Sequence, residues 1–198
     1  MQTLTALLFD DFETLDLFGP IEMFGCLPEH YRLQFASISG GIIHNKHGVA
    51  VQTVAVTELE YQTDILLVPG GMGTRLQINN SSFLQTLMTL IDQANWVLSV
   101  CTGSALLAKT GALNSKRATS NKMAWQWIIS QSNQVNWVAQ ARWVVDGKFY
   151  TSSGVSAGMD MVLGFIADRQ DIETARYIAK YTEYRWQEDS EVDDFYPI

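Results

Sequence analysis

The sequence predicts a single α/β domain over residues 1–198, with a mostly parallel central sheet and helices on both faces. Three observations carry this. Short apolar runs bounded by Gly, Pro or Asp read as strands, and helical patterns separate several of them. Hydrophobic residues make up 47% against only 17% charged, which suits strands buried on both sides. No repeat, low-complexity linker or shift in composition marks an internal boundary.

In order along the chain, "TLTALLF" (3–9) reads as the first strand; it lacks the basic flank of a signal peptide and turns acidic at once. A short helix follows Gly19-Pro20, with Pro in its first turn. "RLQFASIS" (32–39) is a second strand, and "GGIIHNKHGVAVQTVAV" alternates with period two around a turn. "DILLVPGG" (64–71) is a strand ending in two glycines. Segment 79–95 opens with Asn and Ser as N-cap candidates and sets Phe83, Leu84, Leu87, Leu90 and Ile91 on one helical stripe. "WVLSV" (96–100) is a strand, and Gly103–Thr110 a helix stopped by Gly111. Asp146-Gly147 joins two arms of a hairpin. Helices over about 155–168 and 172–187 close the chain, and the acidic "WQEDSEVDDFYPI" reads as a solvated tail.

Composition narrows the function. A net charge of -8, from 13 basic and 21 acidic residues, disfavours nucleic acid, whose phosphates call for Lys and Arg. No apolar run reaches the roughly 18 residues needed to cross a bilayer. Two cysteines fit a reducing cytoplasm and no disulfide scaffold. No spaced His/Cys cluster of the kind zinc needs is present, and no metal or cofactor is expected.

The chemistry-bearing stretch is "WVLSVCTGSALLAKTG" (96–111). It sets Cys101 between a strand and a helix, with Ser99 two residues before and Gly103 two after. Small residues at those positions let strand and helix approach closely, the logic of a nucleophile elbow. The corner places the sulfur at a helix start, where N–H groups favour a thiolate. Most free cysteines are small buried hydrophobes, the reading given to Cys26; the flanking pattern sets Cys101 apart. In "VPGG", the Gly71 N–H together with that of Thr102 is expected to form an oxyanion hole. Among the acids Asp10, Asp11, Glu13, Asp16 and Glu22, Asp16 has the apolar neighbours Leu15, Leu17 and Phe18. Its carboxyl is expected to be desolvated, with a raised pKa suited to proton exchange near neutral pH. Trp125, Trp127, Trp137 and Trp143 are candidates to line an apolar pocket, beside the plainer reading of core or dimer packing.

The segments "LDLFGPIEMF", "ILLVPGG", "SVCTGSALLAKTGAL", "KRATSNKMAW" and "YTSSGVSAGMDM" together resemble the ThiJ/PfpI superfamily of the class I glutamine amidotransferase-like fold, over nearly the whole length. The pairing of "TLDLFGPIEMF" with "VCTGS" looks most like the isocyanide hydratase branch. The resemblance implies a flavodoxin-like sandwich, a homodimer, and Cys101, Asp16 and Thr102 as catalytic residues, with Gly70, Gly71 and Asn121 in oxyanion or binding roles. It implies thiolate attack on an isocyanide carbon, with Asp16 shuttling the proton, and hydrolysis of the thioimidate to an N-substituted formamide. Protease-like members carry a histidine after the cysteine, where this chain has Thr102, and others carry one at the position of Asn121. The three histidines, His30, His44 and His47, all precede the elbow, so a peptidase lacks its base. Two alternatives to the cysteine-dependent small-molecule enzyme are a redox-sensing or regulatory module and a glyoxalase- or deglycase-like activity.

Overall fold

A computed structural model describes residues 1–196. Ten strands and seven α-helices follow in chain order: β1 (Gln2–Leu7), α1 (Thr14–Gly25), β2 (Tyr31–Ser37), β3 (Gly41–His44), β4 (Ala50–Ala55), β5 (Ile65–Val68), α2 (Thr74–Gln77), α3 (Ser81–Gln93), β6 (Trp96–Ser99), α4 (Gly103–Lys109), β7 (Arg117–Ala118), α5 (Trp125–Ile129), β8 (Asn136–Trp137), β9 (Trp143–Asp146), β10 (Phe149–Ser152), α6 (Ala157–Arg169) and α7 (Ile172–Tyr181).

Eight strands form one sheet in the order β3-β4-β2-β1-β5-β6-β10-β9, and β7 with β8 makes a two-stranded ladder. The inner six strands run parallel, with one antiparallel strand at each edge. Every residue of β5 and β10 is buried, so these strands are covered on both faces. Helices α1, α6 and α7 pack as one layer, while α2, α3, α4 and α5 contact one another in a second. The chain order reverses about β1, which has β2 on one side and β5 on the other. Ligand sites of such sheets form at this reversal, beyond the carboxyl ends of the strands.

The expected strands and the two hairpins are present. In the Asp146-Gly147 hairpin Asp146 pairs with Phe149, so Gly147 and Lys148 form the loop, with Gly147 at φ 61°. On α3 the side chain of Asn80 accepts from the Phe83 N–H, and Phe83, Leu87, Leu90 and Ile91 are buried, while Leu84 is half-buried.

Three expectations are corrected. The first helix starts at Thr14, so Pro20 lies inside it rather than in its first turn. Pro20 withholds an N–H from the carbonyl four residues back, and its ring packs against α6, where a Cβ on Gly158 would meet it at 3.4 Å. Second, the last helix stops at Tyr181, six residues early, as Glu183 takes a left-handed φ of 52°. Third, the acidic tail is not simply solvated. Tyr184 Oη and the Gln187 N–H both donate to Asp160 Oδ1 at 3.0 Å, and the Trp186 indole donates to the Asp160 carbonyl. Asp193 is buried, 3.4 Å from the buried Lys122 ammonium. Arg142 pairs with Asp160 at 2.8 Å and reaches Asp193 at 3.8 Å. Hydropathy alone could not show that one tail acid, Asp193, has buried cations waiting for it.

Removing one partner of a buried ion pair leaves the other uncompensated. Asp193→Asn is therefore expected to destabilise the fold by about 3 kcal/mol, measured by urea unfolding, whereas Asp194→Asn, on an exposed neighbour, should leave the midpoint within about 0.5 kcal/mol.

Candidate active site

Three strand ends supply the site. The stretch after β6 turns at Cys101, whose φ of 56° is unusual for a residue with a Cβ. Several contacts hold that strained backbone in place. The Cys101 N–H donates to the Ser153 carbonyl at 3.1 Å. Its own carbonyl accepts from the Ser120 hydroxyl at 2.6 Å and the Ser104 hydroxyl at 3.2 Å. The glycine two residues on is required by packing: a Cβ on Gly103 would stand 2.4 Å from the Val68 carbonyl oxygen. Ser99, two residues before, is fully buried. The elbow read from the sequence is thus present.

The stretch after β1 leads into α1 and brings Asp16 into the interior, with no exposed surface. One carboxyl oxygen, Oδ2, accepts from the Gly70 N–H at 2.9 Å; the other, Oδ1, is buried with no hydrogen-bond partner among the described residues. Gly70 is glycine for a reason of space, since a Cβ there would lie 2.8 Å from Asp16 Oδ2 and 2.6 Å from the Thr102 nitrogen. Burial is the main cause of an Asp16 pKa pushed up from 3.8 to about 8. The Gly70 N–H and the neighbouring Cys101 thiol pull it down, and Glu13 adds to the rise.

Cys101 moves the same way. Burial, and then the adjacent Asp16 charge, push its thiol well above the ordinary value. The Thr102 and Val155 N–H groups and the Thr102 hydroxyl act against that rise. This corrects the expectation of a low-pKa thiolate made by a helix start. Helix α4 has only seven residues, and the sulfur's burial outweighs it. The sulfur is buried, 6% exposed, where the redox-sensing reading expected an exposed thiol.

The expected oxyanion hole changes as well. The Gly71 N–H is taken by Thr102 Oγ1 at 3.0 Å, and the Gly70 N–H by Asp16, so of the expected pair only the Thr102 N–H faces the sulfur, joined there by the Val155 N–H. The Thr102 hydroxyl knits the loop after β5 to the elbow, accepting from Gly71 and from Thr74 Oγ1 at 3.2 Å.

Cys101 is 6% exposed, and that small face opens on a cavity of about 430 Å³. Its lining includes Gly71, Thr102, Asn121, Trp125 and Trp127. Asn121 accepts from the Ala124 N–H through Oδ1 at 2.9 Å. Two of the four expected tryptophans, Trp125 and Trp127, therefore line the cavity. Trp137 meets Trp125 edge-on at 6.1 Å, and Trp143 is buried against Gly164. No histidine lines it; His47 instead bonds the Thr14 hydroxyl at 2.8 Å.

The sequence reading missed the cations of the cavity. Arg75, Lys46 and Lys122 line it, with Glu13 as the acid on its surface. The Arg75 guanidinium lies 3.9 Å from the centre of the Trp127 ring. A basic residue just past a glycine loop is a weak signal, and the register that stacks Arg75 on a tryptophan 52 positions away is set by the fold. Among the described residues no group of three or more His, Cys, Asp or Glu side chains could hold a metal, and no helix is long and apolar enough to cross a membrane.

Comparison with known proteins places this geometry. The chain is 29% identical over 180 residues to the isonitrile hydratase of Pseudomonas putida, covering 90% of this chain and 76% of that one. It is 27% identical over 188 residues to the HTH-type transcriptional regulator GbdR of Pseudomonas aeruginosa, covering 90% of this chain but only half of the regulator. The crystal structure of a ThiJ/PfpI family protein from Pseudomonas syringae superposes with a TM-score of 0.83 at 26% identity, covering 92% of this chain and 75% of that one. The DJ-1/PfpI family pattern matches residues 3–168, elbow and buried acid included, and the chain belongs to the DJ-1/PfpI family.

Proposed function

We propose that the protein is a cysteine-dependent enzyme acting on a small electrophile, and that its reaction is hydration of an isonitrile (isocyanide). One observation carries the reading: Cys101, strained on its elbow, borders a cavity while a buried, proton-holding carboxyl stands beside it with no histidine in reach. The similarity to an isonitrile hydratase supports the choice of substrate class.

An isonitrile carbon is electrophilic toward sulfur and becomes basic as it is attacked. Sulfur and carbon form the new bond, and the carbon takes a proton from Asp16, giving a thioimidate. The sulfur's own proton has gone to Asp16 or to solvent, so the step adds one S–H across the carbon. Water then adds to the C=N carbon, the C–S bond breaks, and the N-substituted formamide leaves with the thiol restored. Each proton transfer runs over the short path between two adjacent side chains, and Asp16 holds its proton near working pH because it is desolvated. The Thr102 and Val155 N–H groups stabilise the sulfur's charge whenever it forms.

A second reading, a ligand-sensing module, is favoured by the similarity to regulators. The chain spans half the length of that regulator. Turnover separates the two readings. Incubation with cyclohexyl or phenyl isonitrile is expected to yield the matching formamide, and Cys101→Ala should lower the rate at least about a thousandfold. Formamide formation that survives the substitution would remove the proposal.

The coupled pair also sets a pH profile. Losing its first proton generates the nucleophile, so kcat/KM should rise with pH from 6 and level off with an apparent pKa near 8. Asp16→Asn should abolish that limb along with most activity. The same group acts on stability. The folded chain keeps the Asp16 proton up to about 8, while the unfolded chain releases it near 3.8. Between those values the folded state binds the extra proton, so stability falls as pH rises, by up to about 1.4 kcal/mol per pH unit. Thermal melts should show Asp16→Asn gaining on the parent protein between pH 5 and 8; parallel curves would mean that the carboxyl ionises normally.

A further inference from the structure

The cations of the cavity differ in what they already hold. Lys122 is committed: its ammonium donates to Thr119 Oγ1 and the Ala141 carbonyl, both at 2.9 Å, and to the Ser120 carbonyl at 3.3 Å, with Asp193 as counter-charge at 3.4 Å. Arg75 is not. Its Nη1 donates to Thr74 Oγ1 at 3.1 Å and lies 3.5 Å from the Gly71 carbonyl. Its Nε and Nη2 have no acceptor, and the guanidinium has no carboxylate within ion-pair distance, among the described residues. Glu13, the acid on the same lining, leans toward His47 at 3.8 Å. Half-buried and set over the Trp127 ring, the guanidinium offers free donors beside an apolar wall of Trp125, Trp127 and Met72. It is near enough to Cys101 to interact electrostatically with the sulfur.

A planar fork of N–H groups matches a carboxylate in two parallel hydrogen bonds. A phosphate would ask for further donors, and the nearby glycine amides are already used by Thr102 and Asp16. The chain as a whole carries a charge of -8, so a cationic group left unpaired inside its cavity is not a consequence of composition. We propose that the cavity takes an electrophile bearing a carboxylate, and that Arg75 is the specificity-determining residue that holds it. This deepens the proposed function by naming the charged end of its substrate, and rests on it only for the identity of the reactive group.

Binding tests it without turnover. The full chain is titrated with cyclohexanecarboxylate, with its neutral isostere cyclohexanecarboxamide, and with inorganic phosphate. The readouts are tryptophan fluorescence, for which Trp127 is a built-in reporter, and protection of Cys101 from iodoacetamide. The carboxylate is expected to bind saturably and protect the thiol, with the amide and phosphate each at least about tenfold weaker. Arg75→Gln should bring the carboxylate down to the level of the amide. Arg75→Lys, which keeps charge but loses the fork, should fall between, and it serves as the folded control if the glutamine variant is unstable. Equal binding of carboxylate and amide, phosphate binding as well as the carboxylate, or undiminished carboxylate affinity in either variant would overturn the inference. A protein that hydrates no isonitrile yet binds the carboxylate through Arg75 would retain this inference and lose the other.

Discussion

The carboxyl of Asp16 is buried with one backbone N–H, that of Gly70, as its donor, and the arrangement of the site follows from that bond. A carboxylate in such a place costs more than its single donor returns, so the group keeps its proton to about pH 8. Holding it there ties the first and fifth strands together beyond their ends. The Glu13 N–H donates to the Gly70 carbonyl at 2.8 Å, and Phe12 bridges to Gly71. Gly71 then donates to Thr102, which brings in the end of β6 and the cysteine. Three strand ends at the sheet's reversal point are thus locked around one acid, and no Cβ at position 70 would permit it.

The same burial governs the nucleophile. A sulfur surrounded by apolar groups and a neighbouring acid resists ionisation, so at rest the pair stores protons rather than charge. That is a different device from the exposed, acidic thiol of a redox sensor. Here the N–H groups of Thr102 and Val155 are fixed in position and act once charge develops, without reorganising. The backbone strain at Cys101 is borne by hydroxyl and carbonyl contacts from Ser104 on the elbow's own helix and from Ser120 and Ser153 on two other segments.

Cys101 and Asp16 were legible in the sequence because each rests on a local pattern: small residues flanking one, apolar residues flanking the other. The sheet was legible because its strands are short, apolar and bounded by Gly, Pro or Asp, with helical patterns between several of them. What local pattern could not give was competition for donors. The two glycines after β5 look like free amides, yet the Thr102 hydroxyl and the Asp16 carboxyl reach them first, from 31 and 54 residues away. Pro20 misled for a related reason. A proline favours a first turn, where its missing N–H has no partner to lose, but it can stand inside a helix whose other contacts are strong, and here helix α6 packs close against it. The tail misled because one of its acids, Asp193, meets the buried cations Lys122 and Arg142, which come from distant segments of the chain.

That pairing bears on the electrostatics of the cavity. At long range a chain of charge -8 repels anions, and salt screens most of what remains beyond about 10 Å. Any preference for an anion must then arise within the cavity, where low dielectric strengthens each contact. Lys122 could supply a charge there, but Asp193 of the C-terminal segment already balances it and three oxygens hold it in place. Lys46 is exposed and reached by solvent. The cation of the lining left free to meet an anion is therefore Arg75, held against the Trp127 ring and with donors to spare.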